Sequence, residues 1–231
     1  MLDFTPAEWD AVRLSLKVGL VSVIFSLPIG FALAHVLARR AFPGKALLNA
    51  CVHLPLVLPP VVTGFALLLL FGTQGPLGRF LENVFGITIA FRWTGAALAA
   101  AIMGMPLMVR AMKLSIDAVD RRLETAAGTL GARPLRVFFT ITVPLSLPGI
   151  VAGAILSFAK SFGEFGATIT FVSNIPGETQ TLPIAIYSLL QTPGGDDAAL
   201  RLAALSVVVS IAAMLGAEAV EHRMRARAVR V

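Results

Sequence analysis

Glu124-Thr125-Ala126-Ala127-Gly128-Thr129-Leu130-Gly131 opens the stretch that decides the architecture, and it runs on through Ala132-Arg133-Pro134-Leu135-Arg136-Val137-Phe138-Phe139. Its alanines favour helix, and Gly131 supplies a residue that tolerates positive φ, so the chain is expected to turn sharply there. Pro134 suits the first turn of a second helix, and Pro144 and Pro148 mark the start of the apolar run beyond it. The spacing predicts a short helix, a bend and a second helix, a projecting element of the kind a partner's groove can grip. On composition alone, a surface loop resting at lipid headgroups is an equally good reading.

On either side lie apolar runs of membrane-spanning length. They cover Leu14–Leu37, Leu54–Phe71, Thr94–Met112, Leu145–Val172 and Ala198–Ala219, which predicts an all-α polytopic membrane protein with about five transmembrane helices. The composition agrees: of 231 residues, 57% are hydrophobic and only 14% charged, with a mean hydropathy of +0.84. These values exclude an ordinary soluble domain, a disulfide scaffold and a typical nucleic-acid-binding module, although the net charge is +6. One cysteine, Cys51, permits no intramolecular disulfide. The chain is read as one domain, 1–231, with a loop at about 115–143.

The basic residues orient the spans. Arg39, Arg40 and Lys45, then Arg110, Lys113, Arg121, Arg122, Arg133 and Arg136, then Arg223, Arg225, Arg227 and Arg230 fall on alternate connections, which are expected to be cytoplasmic. The other side receives Asp3, Glu8 and Asp10, a connection carrying Arg79, Glu82 and Arg92, and a stretch from Ser173 to Asp197 without Lys or Arg. The N-terminus is therefore expected outside and the C-terminus in the cytoplasm. Ala32-Leu33-Ala34 has the look of a signal cleavage site, but the acidic start and the Arg39-Arg40 stop argue that the span is retained. Thr181–Leu190 is too short to cross and is expected as an interfacial or re-entrant piece on the outer face.

The loop resembles the EAA loop of the permease subunits of ABC importers, whose pattern is E-A-A, three residues, G, nine residues, I-x-L-P. Its alanines fall on Ala126 and Ala127, its glycine on Gly131, and its later positions on Ile141 and Pro144. Two positions depart: Thr125 stands where the pattern has glutamate, with Glu124 one residue earlier, and Val143 stands for leucine. The resemblance implies the type I importer permease fold in a five-span version. It also implies an ATPase-coupling role for Glu124, Thr125, Ala126, Ala127, Gly131, Ile141 and Pro144. The implied assembly has a second copy of this chain, two cytoplasmic ABC ATPase subunits and a periplasmic oxyanion-binding protein, in a bacterial-type inner membrane. Ser161-Phe162-Gly163-Glu164-Phe165-Gly166-Ala167 and the following Thr168 to Glu178, with Gln191-Thr192-Pro193-Gly194-Gly195, resemble the corresponding stretch of molybdate permeases. The Gly-Glu-Phe-Gly core alone is shared with sulfate and tungstate permeases, so those cargoes form the nearer alternative.

No G-x-x-x-x-G-K-[ST] phosphate loop occurs, so ATP is expected to be used by partner subunits and no cofactor by this chain. No catalytic residue is expected. An ion-coupled carrier is the more distant alternative, and it would usually need an internal repeat that the sequence lacks. Within the fourth span, Ser157, Ser161, Glu164 and Thr168 recur at steps of four, three and four, the spacing of one helical face. With Lys160 they are the candidates for a translocation path or gate, because ionisable groups within a span usually face a bundle interior or a wet cavity. The competing reading makes Lys160 and Glu164, four apart, a structural pair that fastens the helix. Gly149 and Gly153 have the spacing of close helix contact, and Pro55, Pro59 and Pro60 are expected to distort the second span, either near a gate or as a merely broken start. Cys51 and His53 are too few for a metal site. His35 and His222 read as interfacial or tail residues and Trp9 and Trp93 as aromatic anchors. The tail from Arg223 to Arg230 is expected at anionic lipid or the ATPase.

Overall fold

The computed structural model describes residues 4–228; Asp3 and Arg230 lie outside these, as do the side chains of the tail residues His222, Arg223, Arg225 and Arg227. Thr5 caps the first helix with a reciprocal pair: its hydroxyl accepts from Glu8 N, and Glu8 Oε2 accepts from Thr5 N at 2.5 Å. From that cap α1 runs Pro6–Arg39, 34 residues. At 1.5 Å per residue this is about 51 Å, well beyond a hydrocarbon core of about 30 Å, so α1 starts earlier than the apolar run beginning at Leu14 suggests.

The second span is not one rod. α2 (Lys45–Val57) and α3 (Pro60–Phe71) meet at 114° across Leu58-Pro59. Neither Pro59 nor Pro60 has an N–H to donate to a continuing ladder, so the helix breaks where the prolines stand. α4 (Pro76–Phe85) follows, with Leu77, Phe80, Val84 and Phe85 exposed on its apolar side. α5 (Trp93–Ala118) is the central helix, touching α1, α2, α3 and the later helical segments Val143–Phe162 and Gly166–Val172.

After α5 come α6 (Arg121–Thr129), α7 (Pro134–Val137), a π-helical turn (Phe138–Thr142) and α8 (Val143–Phe162); from Pro134 to Phe162 the chain is one helical run of 29 residues. The expected span Leu145–Val172 does not exist as such. It stops at Phe162, and α9 (Gly166–Val172) is a separate short helix. α10 (Leu182–Leu190) is the short apolar segment, and α11 (Asp196–Ala228) is the last span. Among the described residues, four helices are long and apolar enough to cross a membrane, five if the bent α2–α3 pair counts as one.

Helix packs on helix through small residues. On α8, a Cβ at Gly149 would lie 2.2 Å from Ser115 Cβ and one at Gly153 2.9 Å from Met108 O, so the two glycines do bring α8 close against α5. On α1, Ser15, Gly19, Ser22, Ser26, Gly30 and Ala34 are all buried along one face. Among the described residues, three apolar clusters fill the interior: one around Ala96, Met103 and Phe171, one around Leu37, Met108 and Ile116, and one around Val12, Phe162 and Leu202.

A braced loop and a broken helix

α6 starts at Asp120, whose carboxylate accepts from Arg122 N at 2.9 Å. It ends in a two-bond cap: Gly131 N donates to Gly128 O at 3.0 Å and Ala132 N to Ala127 O at 3.0 Å, with Gly131 at φ 84°. The helix, the bend and the second helix lie where the sequence puts them. Thr125 is exposed, and its hydroxyl is spent on Arg121 O at 3.0 Å within its own helix. Ala126 is exposed, Ala127 half-buried, Ile141 half-buried, and Pro144 sits in the first turn of α8. Leu123, Leu130, Leu135 and Phe139 point outward from this region, Leu130 being 88% exposed.

Glu124 is the residue that ties the loop to the bundle. Its Oε1 lies 3.1 Å from Arg39 Nη2 at the end of α1 and accepts from Thr142 Oγ1 at 2.7 Å in the π turn. Arg39 also donates to Val119 O at 3.1 Å, and Arg121 reaches back to Ala38 O at 3.3 Å. The Arg39 side chain is 9% exposed and that of Glu124 23%, so this ion pair is far less screened than a surface pair. One carboxylate thus joins α6, α1 and the base of α8. Sequence reasoning singled out Glu124 but missed Arg39 and Thr142 as its partners, which are 85 and 18 residues away.

The second candidate group centres on the break. Glu164 lies after the end of α8, so Ser157, Ser161, Glu164 and Thr168 do not form one continuous helical face. Glu164, 2% exposed, takes Lys160 Nζ on Oε2 at 2.5 Å and Ala167 N on Oε1 at 3.0 Å. The carboxylate therefore caps α9 while pairing with α8, a favourable place for negative charge at a helix start. α3 presses on α9: a Cβ at Gly64 would stand 2.5 Å from Ala167 O, and one at Gly166 would stand 2.7 Å from Pro60 Cβ.

Ser161 and Ser157 face inward. Ser161 donates to Ala100 O at 3.2 Å and receives Ser22 Oγ at 3.1 Å, which locks α8 to α5 and α1. Ser157 Oγ is buried against Gly104 with no partner among the described residues, and Thr168 is buried on α9. Lys160 differs, its side chain being 30% exposed. It stands at the next step of four beyond Pro148, Ala152 and Leu156, which with Leu114 and Ser115 of α5 line an open cleft of about 650 Å³ reaching Leu123 of α6.

The remaining candidates are local. α10 is pinned at its start by Leu182 N donating to Ser15 Oγ at 2.6 Å, and it packs on α1 and α11 while Tyr187 and Leu190 stay exposed. The preceding turn places Ser173 at φ 63°, and Thr179 Oγ1 accepts from Ile175 N and donates to Ser173 O. Glu8 and Arg201, 3.0 Å apart, join the start of α1 to α11. His53 Nδ1 stands 2.9 Å from Asn49 O of its own helix, and Lys17 Nζ sits 3.5 Å over the Trp93 ring.

A family profile described as "Binding-protein-dependent transport system inner membrane component" matches residues 26–226. The chain is 57% identical to the molybdenum transport system permease protein ModB of Escherichia coli (strain K12), over 98% of this chain and 99% of that protein. It is 51% identical to the ModB of Haemophilus influenzae, over 94% and 95%. It is 38% identical to the sulfate transport system permease protein CysW of Synechococcus elongatus, over 87% and 71%. Among solved structures, a chain of a bacterial ABC transporter involved in the import of alginate superposes with a TM-score of 0.74 at 17% identity, covering 95% of this chain and 80% of that one.

Proposed function

The chain belongs to the family of binding-protein-dependent transport system inner membrane components, and from that premise we propose that it is the membrane-spanning permease subunit of an ABC importer for molybdate. The cargo follows the relatives: the ModB proteins of Escherichia coli and Haemophilus influenzae match at higher identity and over more of their length than the sulfate permease does. It also follows the stretch from Ser161 to Gly195, which resembles the corresponding stretch of molybdate permeases.

The observation that carries the mechanism is the brace on Glu124. A rigid rod that moves with a partner must be fastened to the bundle, and Glu124 fastens α6 to α1 and to α8 together. The exposed Leu123, Ala126 and Leu130 supply an apolar face to seat in a groove of a cytoplasmic ATPase. Closure of two such ATPases then displaces α6 and, through Glu124, both spans at once. Two copies of this chain make a two-fold wall around the path, and a periplasmic binding protein hands over the anion on the far side. The N-terminus lies outside, the C-terminus in the cytoplasm, and residues 1–231 act as one permease domain.

Lys160 is the one candidate path residue whose side chain is partly exposed, and it stands one step of four beyond Leu156, the last α8 residue lining the cleft that runs toward α6. A bare carboxylate repels an oxyanion, so Glu164 serves to orient Lys160 and hold the break, and the lysine offers a weak, transient positive step. Weak holding is required, because tight binding within the membrane slows release. Ser157, Ser161 and Thr168 support this wall from within.

The test is uptake of radioactive molybdate into proteoliposomes holding this chain with its ATPase and binding protein. ATP-dependent uptake that tungstate blocks and sulfate leaves alone is the expected result. Uptake without ATP would defeat the proposal, and uptake suppressed by sulfate would move the cargo to the sulfate branch.

A further inference from the structure

Where α1 ends, the loop encloses a second cleft, of about 370 Å³, that coupling does not account for. Arg39, Arg40 and Arg121 line it together with His35, Phe138 and Thr142, and Glu124 supplies the one carboxylate against three guanidinium groups. Glu124 is already engaged by Arg39 and Thr142. Arg39 Nε and His35 Nδ1 are buried with no partner among the described residues, and Arg40 makes no ion pair there. An unpaired buried guanidinium N–H beside excess positive charge is costly unless an anion meets it. The π turn, a distortion frequently found at functional sites, forms the wall through Phe138 and Thr142.

The surroundings grade from charged to apolar within two helical turns. His35 lies one turn above Arg39 on α1 and meets Phe138 edge-on at 5.1 Å between centroids, and Phe31 meets Phe138 at 5.7 Å. Leu135 and Phe139 stand exposed alongside. A charged floor under an aromatic rim, at the end of a membrane span, matches an amphiphile whose phosphate sits low and whose chains rise along the helix.

We propose that this cleft binds a phosphate-type oxyanion, carried by an anionic phospholipid headgroup or free in solution, between Arg39, Arg40 and His35. The headgroup fits the graded lining, and a bound phosphate neutralises Arg39 without breaking its bond to Glu124, stiffening the α1–α6 joint. The chemistry needs only the cleft; calling the leaflet cytoplasmic rests on the orientation proposed above.

The experiment uses the complex of this chain with its ATPase subunits, purified in detergent, as wild type, Arg40→Gln and Arg40→Lys. Native mass spectrometry counts phosphatidylglycerol and phosphatidylcholine retained per copy of the chain, and calorimetric titration of the delipidated complex measures binding of inorganic phosphate. Arg40 is exposed and its side chain makes no ion pair among the described residues, so Arg40→Gln is expected to leave the melting temperature in place. One phosphatidylglycerol retained by wild type and Arg40→Lys, weakened about tenfold in Arg40→Gln, supports the site with a headgroup as its occupant; tenfold is the scale of one charge-assisted hydrogen bond. Saturable phosphate binding with the same variant pattern, and no preference between the lipids, supports it with a free anion. Equal retention and equal titrations in all three proteins would overturn it. Molybdate uptake measured on the same preparations keeps the two proposals apart, since loss of uptake with lipid retention intact counts against the transport reading alone.

Discussion

At position 124 a carboxylate one place earlier than the pattern expects does the work of holding the loop. In an α-helix, a shift of one residue rotates a side chain by about 100°, so Thr125 faces out and Glu124 faces the bundle. Replacing Glu124 with alanine removes its bonds to Arg39 and Thr142 and leaves a largely buried guanidinium with Val119 O alone. The expected loss is about 1.5–3 kcal/mol, the range for hydrogen bonds to charged groups, read as a lower melting temperature of the purified complex. ATP hydrolysis is expected to persist while molybdate uptake falls, because the rod is no longer fastened. Thr125→Glu, at an exposed position, is expected to leave both unchanged, and loss of uptake in that variant would return the coupling role to position 125. Gly131→Pro acts on the bend instead: proline fixes φ near −65° where Gly131 has 84° and removes its bond to Gly128 O. Uptake is expected to uncouple from hydrolysis with the spans still inserted, and undiminished uptake would show that the bend is dispensable. The bend was legible in the sequence because glycine has few other reasons to stand after Thr129-Leu130. The brace was not, because nothing local marks Arg39 as the partner of a residue 85 positions on.

The elements repeat this division between what hydropathy shows and what it hides. Apolar runs found the long helices, and Pro59-Pro60 announced the break between α2 and α3. The end of α8 at Phe162 stayed hidden, since Phe165 to Val172 is as apolar as what precedes it and only Gly163 and Gly166 hint at a stop. What fixes the break is the capping of α9 by Glu164 and the pressure of α3 at Gly64, both long-range or dependent on a geometry that exists only once the helices pack. The two readings of Lys160 separate here. Lys160→Met alone strands a carboxylate that is 2% exposed, expected to cost about 3–5 kcal/mol. Glu164→Gln alone strands an amine that still reaches solvent and is expected to cost less. The double variant Lys160→Met/Glu164→Gln is expected to recover most of the stability in thermal unfolding yet transport molybdate with a raised KM, because the positive step is gone. Wild-type uptake by the folded double variant would make the pair purely structural.

For the whole molecule, the charges sort to two ends that the helices hold apart, and this supports a single orientation. Arg39, Arg121 and Glu124 meet at one end, while Glu8 pairs with Arg201 where α1 and α11 begin at the other. The fold class was readable from the apolar runs, and the count of spans to within the bent α2–α3 pair, because spanning lengths leave few alternatives. How the spans pack was readable only where small residues such as Gly149 and Gly153 gave it away. Orientation is the step that rests on charge alone, and it yields to single-cysteine reporters. With Cys51, which is exposed, replaced by serine, cysteines are placed at Phe42 in the α1–α2 connection and at Ile175 in the turn before α10, two exposed positions at opposite ends. A maleimide that cannot cross membranes is expected to label Ile175→Cys in intact cells with only the outer membrane opened, and Phe42→Cys only after the inner membrane is breached. The reverse pattern would put α6 on the side without ATP, where the apolar face of Leu123 and Leu130 has no ATPase to meet, and the coupling role of the loop would fall with the topology.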